Sequence, residues 1–298
     1  MTLDIMMPFY GRVDHFKLAV QSVLAQDDPD WRLVIVDDVY PDRSAGEWAV
    51  ALGDERITYL RNEENLRPSR NYRKCVGLMQ SEFAVIMGCD DVMLPGYVRR
   101  VTELAARFPD AAVIQPGVEV IDTDGRRSRP LADRVKRWYM PHGERPLAIA
   151  GERAALSLVR AAWFYFPSLV WNVERLRRHE FRADLDVTQD IAMVLDLVKD
   201  GGSVVVDDRL VFQYRRHAES VSAVTGPDGS KFAQERTVFA EADRSLRAVG
   251  WNRAARAARW HLSSRLHALA DLPKAIGRGK SVGRRRLLRH VFGGLDPA

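Results

Sequence analysis

The sequence of residues 83–95 reads FAVIMGCDDVMLP, a short apolar run that ends in two adjacent acids, Asp90 and Asp91. An apolar run of this length that ends at a glycine predicts a strand buried on both faces, over residues 83–87. Two adjacent carboxylates after a buried strand repel each other, and a divalent cation beside them relieves that repulsion. A turn that leads into a helix, marked by Pro95 and Gly96, is the alternative interpretation of the same residues.

The pattern of an apolar run followed by paired acids also occurs earlier, where residues 32–36 precede Asp37 and Asp38. Further strands are predicted over residues 3–7, 56–60 and 111–115. Helices are predicted between them, over residues 14–24 with Asp14 as the cap, over 68–79 and over 95–108. Strands that are apolar on both faces and alternate with helices predict an α/β fold, with a mostly parallel, Rossmann-like sheet and helices on both faces. The acids follow the carboxyl ends of the strands, where open α/β sheets bind ligands.

The middle of the chain is less regular. Residues 122–146 are rich in Arg, Asp, Gly and Pro and are predicted to form a loop. A helix is predicted over residues 188–199 and a strand over 203–206. The aromatic run at residues 163–166, followed by Trp171, has two interpretations that the sequence leaves open, a core cluster or a surface that stacks on a sugar.

Composition places the chain among globular proteins, since 46% of its 298 residues are hydrophobic and 29% are charged. Its two cysteines, Cys75 and Cys89, make no disulfide framework, so a reducing, cytoplasmic setting is expected. No apolar run reaches 18 residues, so no membrane-spanning helix is expected. The first residues lack the basic and apolar regions of a signal peptide.

Charge is unevenly distributed along the chain. The net charge is +5, but residues 244–298 hold 13 Lys and Arg against two acids and carry +11, which leaves −6 for the rest. The chain is predicted to be helical from about Lys231 to near Leu269, with one apolar stripe (Trp251, Ala255, Ala258, Leu262, Leu266 and Leu269). A basic run, RRRLLR, follows at residues 284–289. Two interpretations of this basic region stay open: contact with an anionic membrane, at the inner face of the cell membrane, and packing onto the domain. Packing is favoured for the first helix. Nucleic acid is not expected as a partner.

Taken in order, the motifs resemble those of glycosyltransferase family 2, a group of inverting enzymes with the GT-A fold. The segments that carry the resemblance are PFYGR at residues 8–12 with SVLAQ at 22–26, VIVDD at 34–38, Asn65 with Arg70 and Asn71, and MGCDDVMLP at 87–95. Weaker matches are Gln189-Asp190 and YRRH at residues 214–217. The resemblance covers roughly residues 3 to 222, and its motifs are specific only in combination.

The sequence also departs from the family pattern at four positions. Val39 stands after the paired acids of the second strand, where the family usually has glycine. Arg67 occupies another position where glycine is common. Gly88 replaces the first acid of a D-x-D-D pattern, so metal binding would depend on Asp91. Gln189 replaces the usual glutamate before the predicted base.

The resemblance implies a GT-A catalytic domain over residues 1–225, with a nucleotide-sugar half at 1–115 and an acceptor half at 116–225. A basic helical C-terminal extension would follow over residues 226–298. The implied reaction transfers a sugar from a UDP-, dTDP- or GDP-linked donor to a glycan or lipid-linked glycan, with inversion and with Mg²⁺ or Mn²⁺.

The resemblance also assigns roles to residues. Donor binding falls to Pro8, Phe9, Tyr10, Arg12, Asp37, Asp38, Asn65, Arg70 and Asp90. Asp91 and His217 would bind the metal, and Asp190 would be the general base that an inverting displacement requires. Simpler interpretations stay open, namely a solvated helix surface for Arg70, a helix-dipole acid for Asp190 and a structural side chain for His217.

Two other functions use similar residues. A nucleotidyltransferase also combines paired acids, a metal and an α/β sheet, but typically has a glycine-rich basic loop after the first strand, where residues 8–12 hold a single glycine. A non-catalytic binding protein on the same fold is the second alternative. The presence of Asp38, Asp91 and Asp190 together argues against it.

Overall fold

The computed structural model describes residues 1–217, 225–226, 228–277 and 281–295, which form a mixed α/β structure around one ten-stranded sheet. The strands are β1 (Leu3–Phe9), β2 (Trp31–Asp37), β3 (Ile57–Arg61), β4 (Phe83–Ile86), β5 (Val92–Met93), β6 (Ala111–Ile121), β7 (Arg127–Ser128), β8 (Leu147–Ile149), β9 (Val170–Asn172) and β10 (Ser203–Arg215). The helices are α1 (Val13–Leu24), α2 (Ser44–Ala51), α3 (Arg67–Leu78), α4 (Tyr97–Arg107), α5 (Leu131–Tyr139), α6 (Gly151–Arg160), α7 (Val173–Leu176), α8 (Gln189–Lys199), α9 (Ser230–Ala248), α10 (Asn252–Trp260), α11 (Leu262–Gly277) and α12 (Ser281–Phe292).

The sheet is mostly parallel. Its strand order is β3-β2-β1-β4-β9-β6-β10-β5, with β7 beside β6 and β8 beside β10. Strands β3, β2, β1 and β4 are parallel, and so are β6 and β10. Strand β9 is antiparallel to both β4 and β6, so those two strands run in the same direction. The carboxyl ends of β1, β2, β4, β6 and β10 therefore meet at one edge of the sheet.

Helices cover both faces of the sheet, as the buried strands predict. Met6 of β1 packs into one core cluster, with residues of α3, α6 and α8, whereas its neighbours Ile5 and Met7 pack into a second cluster, with residues of α1 and α4. This alternation arises because successive side chains of a strand point to opposite faces. The aromatic run belongs to the first cluster, where Trp163 and Trp171 are fully buried. The core interpretation of these aromatics is thus confirmed.

Three sequence predictions need correction. Asp14 does not cap α1 but lies in its first turn, where it pairs with Arg12 at 2.5 Å. Residues 122–146 are not a loop, because they contain β7 and α5. Strand β10 continues to Arg215, well past the predicted end at residue 206.

The C-terminal helices are not one continuous helix. Left-handed backbone at Gly250 (φ 81°) and at His261 (φ 31°) separates α9, α10 and α11. The predicted apolar stripe is therefore divided. Ala255 and Ala258 are buried in the main core, as expected for packing of the first part onto the domain. In contrast, Leu262, Leu266 and Leu269 are exposed. Helices α11 and α12 form a satellite core with Phe232 of α9. The predicted boundary at residue 225 stays a prediction, and residues 218–224 lie outside the described residues.

Two departures from the family pattern coincide with left-handed backbone. Val39 has φ 64° and Arg67 has φ 63°, and these are the two positions where glycine is usual. A side chain at positive φ brings Cβ close to the following carbonyl oxygen, and the cost is greatest for a β-branched residue. The chain therefore keeps the loop geometry that glycine permits, at the expense of strain.

We expect Val39→Gly to raise the free energy of unfolding by about 1 kcal/mol, because the strain it removes exceeds the added backbone entropy of the unfolded chain. Denaturant titration measures this difference. Val50→Gly is the matched control, since Val50 is an exposed residue of α2 and glycine there should lower stability by about 0.5–1 kcal/mol. A destabilised Val39→Gly variant would contradict the strain at this position.

Candidate active site

The strand ends that meet at one edge of the sheet are linked by the buried side chain of Arg215, the last residue of β10. Its Nε donates to the carbonyl oxygen of Asp90 at 2.6 Å, and its Nη1 donates to the carbonyl oxygens of Asp122 and Thr123 at 3.0 and 3.1 Å. Its main-chain N–H donates to Oδ1 of Asp91 at 2.8 Å. Arg215 thereby joins the ends of β4, β6 and β10. In the sequence, Arg215 belongs only to the weakly matching run YRRH at residues 214–217.

Asp91 lies in a buried pocket that leaves one of its oxygens without a partner. Only 1% of the residue is exposed, and Oδ2 has no hydrogen-bond partner among the described residues. Burial, together with the nearby charge of Asp90, raises the pKa of Asp91 well above its usual value. A Cβ atom on Gly88 would lie 2.4 Å from Oδ2. The glycine at the position of the missing acid thus lets the main chain approach this buried oxygen closely.

Asp90 and His217 face each other beside this pocket. The Nε2 atom of His217 lies 2.9 Å from Oδ2 of Asp90. His15 lies behind them, with its ring centroid 6.3 Å from that of His217. Burial lowers the pKa of His15, and the charge of Arg215 lowers it further. The structure therefore places His217 against Asp90, and metal binding by His217 stays a prediction.

The paired acids after β2 are engaged within the protein. Asp38 accepts hydrogen bonds from Asn62 and from the N–H groups of Leu66 and Arg67, at 2.7 to 2.9 Å, and so satisfies donors at the start of α3. Asp37 accepts from the N–H of Tyr40 at 2.8 Å, from Arg61 at 2.5 Å and from the Tyr59 hydroxyl. Both carboxylates shape the walls of the predicted nucleoside site. Direct contact of either with a base stays a prediction.

The segment after β1 divides into core and surface. Phe9 is fully buried and stacks near Phe16, so its side chain does not face a ligand, and only its main chain can contribute to donor binding. Its carbonyl oxygen accepts from the N–H of Asp38 at 2.9 Å. Pro8 is half-buried and Tyr10 is exposed, with its ring against Tyr40. Donor binding by Tyr10 stays compatible with this geometry.

Three predicted donor-binding side chains lie on exposed loop or helix positions. Asn65 accepts from the N–H of Arg67 at 3.0 Å, and Arg12 pairs with Asp14. Arg70 is exposed on α3, and no carboxylate of the described part of the chain lies within ion-pairing distance of it. Arg70 is therefore available to an anionic ligand.

Asp190 is the second residue of α8, in its first turn. Its Oδ1 accepts from the N–H of Ile191 at 2.7 Å. Burial raises the pKa of Asp190, although this N–H and the charges of Lys136 and Lys231 act in the opposite direction. Burial also raises the pKa of Tyr72, and the charges of both Asp190 and Asp90 contribute to that increase. Tyr72 is thus near enough to both the predicted base and Asp90 to feel their charges.

Helix α5 supplies polar residues that the sequence analysis placed in a loop and therefore missed. Asp133 is buried and accepts hydrogen bonds from the Tyr165 hydroxyl at 3.0 Å and from Arg216 at 2.9 Å. Lys136 donates to the carbonyl oxygen of Phe164 at 2.8 Å, and its ammonium lies 4.6 Å from the centre of the Tyr165 ring. Among the described residues no carboxylate lies within ion-pairing distance of Lys136. A charged lysine is thereby held on the Asp190 side of the site.

The residues present fit a single divalent cation whose other ligands would come from substrate phosphates and water. The described residues do not bring three or more His, Cys, Asp or Glu side chains together as a metal cage. The partnerless Oδ2 of Asp91, buried beside Asp90 and with the pKa of its carboxyl raised, is nevertheless a candidate oxygen ligand. Mg²⁺ and similar ions are commonly bound by one or two carboxylates together with substrate phosphates and water.

Comparison with known proteins agrees with this geometry. Residues 4–166 match the family model described as glycosyl transferase family 2. The putative colanic acid biosynthesis glycosyl transferase WcaA of Escherichia coli is 34% identical over 90 residues, which cover 30% of this chain and 32% of that protein. The succinoglycan biosynthesis protein ExoO of Rhizobium meliloti is 24% identical over 221 residues, 72% of this chain and 61% of its own. The chain thus spans about a third to three fifths of these relatives.

Two solved structures share the fold over nearly the whole chain. Residues 1–349 of TarS from S. aureus, in complex with UDP-GlcNAc, align with a TM-score of 0.68 at 15% identity, covering 98% of this chain and 82% of that one. The mannosyltransferase PcManGT from Pyrobaculum calidifontis, in complex with GDP-Man and Mn²⁺, aligns with a TM-score of 0.60 at 14% identity, covering 97% and 85%. At these identities the likeness shows the fold alone, and the fold is GT-A.

Lys136 gives the site a measurable pH signature. Burial, together with the charge of Arg216, lowers its pKa from 10.5 to about 8. Between these two values the unfolded chain binds the proton that the folded chain has lost, so folding becomes more favourable as pH rises. We expect Lys136→Met, which keeps the length of the side chain, to be at least as stable as the wild type at pH 7. Its stability advantage should shrink between pH 8 and 10.5.

Urea titration of both proteins across this pH range measures the difference. Lys199→Met is the control, because Lys199 pairs with Asp196 on α8, where the pair is partly exposed. A constant difference in free energy of unfolding between Lys136→Met and the wild type from pH 8 to 10.5 would contradict a lowered pKa of Lys136.

Proposed function

We propose that the chain, which belongs to glycosyl transferase family 2, transfers a sugar from a nucleoside diphosphate sugar to a glycan or lipid-linked glycan. The transfer would proceed with inversion and with a divalent cation. The observation that carries the proposal is the buried, partnerless oxygen of Asp91, beside Asp90 and His217 at the carboxyl edge of a parallel sheet. This is the position where open α/β sheets bind nucleotides.

On the donor side, Asp91 would hold Mg²⁺ or Mn²⁺ together with the donor diphosphate, and the ion would neutralise the negative charge that grows on the leaving group. Asp90 and His217 line the same pocket. Arg70 is free of carboxylate partners in the described part of the chain, so it can bind a phosphate oxygen. Asp38 fixes the start of α3, which carries Arg70, against the end of β2.

On the acceptor side, Asp190 would take the proton from the acceptor hydroxyl during a single in-line displacement. Burial raises its pKa above the usual value, a direction that favours proton acceptance by a general base. The N–H of Ile191 fixes one carboxylate oxygen and leaves the other for the hydroxyl. The positive charge of Lys136 opposes part of this increase and so favours the charged form of the base.

The acceptor class is supported by the relatives. WcaA and ExoO are described as proteins of colanic acid and succinoglycan biosynthesis, so a polysaccharide pathway is the setting we propose for this chain. The nucleotide is open, since TarS binds UDP-GlcNAc and PcManGT binds GDP-Man. A thermal-shift screen of UDP-, dTDP- and GDP-sugars with Mn²⁺ identifies the donor, because a ligand that binds the folded state raises its melting temperature.

The metal assignment predicts how Asp91→Asn responds to Mn²⁺. In the absence of metal we expect this variant to melt at or above the wild-type temperature, because it removes a buried charge that lies beside Asp90. Donor with Mn²⁺ should stabilise the wild type, by about 2.7 kcal/mol at a hundredfold excess over its dissociation constant. We expect Asp91→Asn to lose most of this stabilisation in differential scanning calorimetry.

Two further variants sharpen the test. Gly88→Ala keeps both acids but places a Cβ against Oδ2 of Asp91, so it should also weaken the effect of Mn²⁺. Asp124→Asn removes an exposed acid outside the pocket and should respond as the wild type does. A full response to donor and Mn²⁺ in Asp91→Asn would sink the metal assignment.

The base assignment predicts a loss of turnover without a loss of donor affinity. Asp190→Asn keeps the size of the side chain but removes the proton acceptor, which typically costs about 10²–10⁴-fold. We therefore expect turnover to fall by this factor while donor affinity, measured by calorimetry, stays within a few-fold. Asp196→Asn is the control on the same helix, because Asp196 pairs with Lys199 at the surface.

The same variant separates the alternatives. If Asp190 acts only on the helix dipole, Asp190→Asn lowers the melting temperature and leaves turnover per folded molecule intact. A non-catalytic binding protein would show donor binding without turnover in the wild type as well. The family match disfavours a nucleotidyltransferase, and release of pyrophosphate instead of nucleoside diphosphate would reverse that conclusion.

A further inference from the structure

Two adjoining cavities lie outside the candidate active site, where helices α5, α6 and α10 meet. Each has a volume of about 280 Å³, and they share Leu156 and Arg160 of α6. Trp138 of α5 lines the first cavity and Trp260 of α10 lines the second. We call the two cavities together the arginine groove.

Four arginines surround the arginine groove without a counter-charge. They are Arg153, Arg160, Arg253 and Arg256, all exposed. Within the described residues no carboxylate lies within ion-pairing distance of any of the four guanidinium groups. The nearby Glu152 instead accepts hydrogen bonds from the N–H groups of Arg253 and Ala254, at 2.6 and 3.2 Å. The groove therefore has a concentrated positive charge, and it complements an anionic partner.

Exposed apolar side chains continue from one end of the groove. Trp138 and Trp260 are 75% and 66% exposed. Directly after Trp260, the stripe Leu262, Leu266 and Leu269 of α11 is 61%, 56% and 46% exposed, and its spacing places it on one helix face. The Ser263 hydroxyl donates to the carbonyl oxygen of Arg160, so the start of α11 lies against the groove. Tryptophans, leucines and arginines thus share one surface.

We propose that the arginine groove and the leucine stripe of α11 together dock the protein on an anionic membrane surface. Arginines beside exposed tryptophan and leucine are the composition of a segment that lies in the membrane interface, with apolar side chains inserted and cations at the phosphate level. No helix in the described part of the chain is long and apolar enough to cross a membrane, so contact would be peripheral.

Other occupants fit these residues less well. A second copy of the chain would bring eight unpaired arginines into one interface, and like charges repel across such an interface. A soluble anionic polysaccharide would use the arginines and tryptophans but would leave the three leucines exposed to water. An anionic bilayer satisfies both sets of side chains.

This surface differs from the basic run at residues 284–289 that the sequence pointed to. Truncation after Leu269 would cut inside α11 and remove α12, which would uncover the buried Phe232 of the satellite core. Point substitutions of exposed side chains leave that core intact and are the better test.

The test is co-sedimentation of the full chain with vesicles of phosphatidylcholine alone or mixed with phosphatidylglycerol in equal parts. We expect binding to the anionic vesicles only, weakened by salt. Arg253→Gln with Arg256→Gln should weaken it about 25-fold, at about fivefold for each arginine at the surface. Trp260→Ala with Leu266→Ala should weaken it about tenfold, because apolar burial is lost.

Matched controls separate the effect of the arginines of the groove from the effect of positive charge elsewhere on the protein. Arg107→Gln with Arg209→Gln removes two exposed arginines elsewhere and should change binding less than twofold. Equal binding to neutral and anionic vesicles, or equal losses in the groove and control pairs, overturns the proposal. So does a loss confined to Arg284→Gln with Arg285→Gln, which would assign binding to α12. Wild-type vesicle binding by the Trp260 and Leu266 variant also overturns it, and would point to a soluble polyanion.

Discussion

The arrangement of the candidate site depends on the hydrogen bonds of one buried cation, Arg215. Its guanidinium and main-chain N–H reach Asp90, Asp91, Asp122 and Thr123, so that this residue of β10 holds the loops after β4 and β6. Carbonyl and carboxylate oxygens would otherwise be buried without partners at this edge, which is costly. With these bonds made, Oδ2 of Asp91 still has no hydrogen-bond partner among the described residues, and the metal site that we propose depends on it.

Much of this architecture could be predicted from the sequence because it depends on local patterns. The apolar runs before Asp37 and Asp90 specify strands buried on both faces, and the sheet order brings their carboxyl ends together. The two positions where the sequence departs from glycine, Val39 and Arg67, also have the left-handed backbone that glycine accommodates. These two positions therefore keep the left-handed backbone of the motif although the residue is no longer glycine.

The rest could not be predicted because it depends on tertiary contacts. Helix α5 lies in a segment rich in Arg, Asp and Pro, whose composition is typical of a loop, and its buried face is polar rather than apolar. Asp133 and Lys136 are held inside by Tyr165, Arg216 and the Phe164 carbonyl, which are distant in sequence. The break at His261 is equally invisible to helical periodicity, and it turns three leucines of a predicted core stripe out to the surface.

Helix α5 connects the two functional surfaces that we propose. Asp133 and Lys136 are one turn apart and face the Asp190 side of the site, whereas Trp138 projects from the opposite face of the helix into the arginine groove. A membrane bound at the groove would therefore lie across a single helix from the proposed base. An acceptor anchored in that membrane would meet Asp190 by diffusing in two dimensions, with its orientation restricted by the bilayer. If both proposals hold, this placement favours a lipid-linked acceptor.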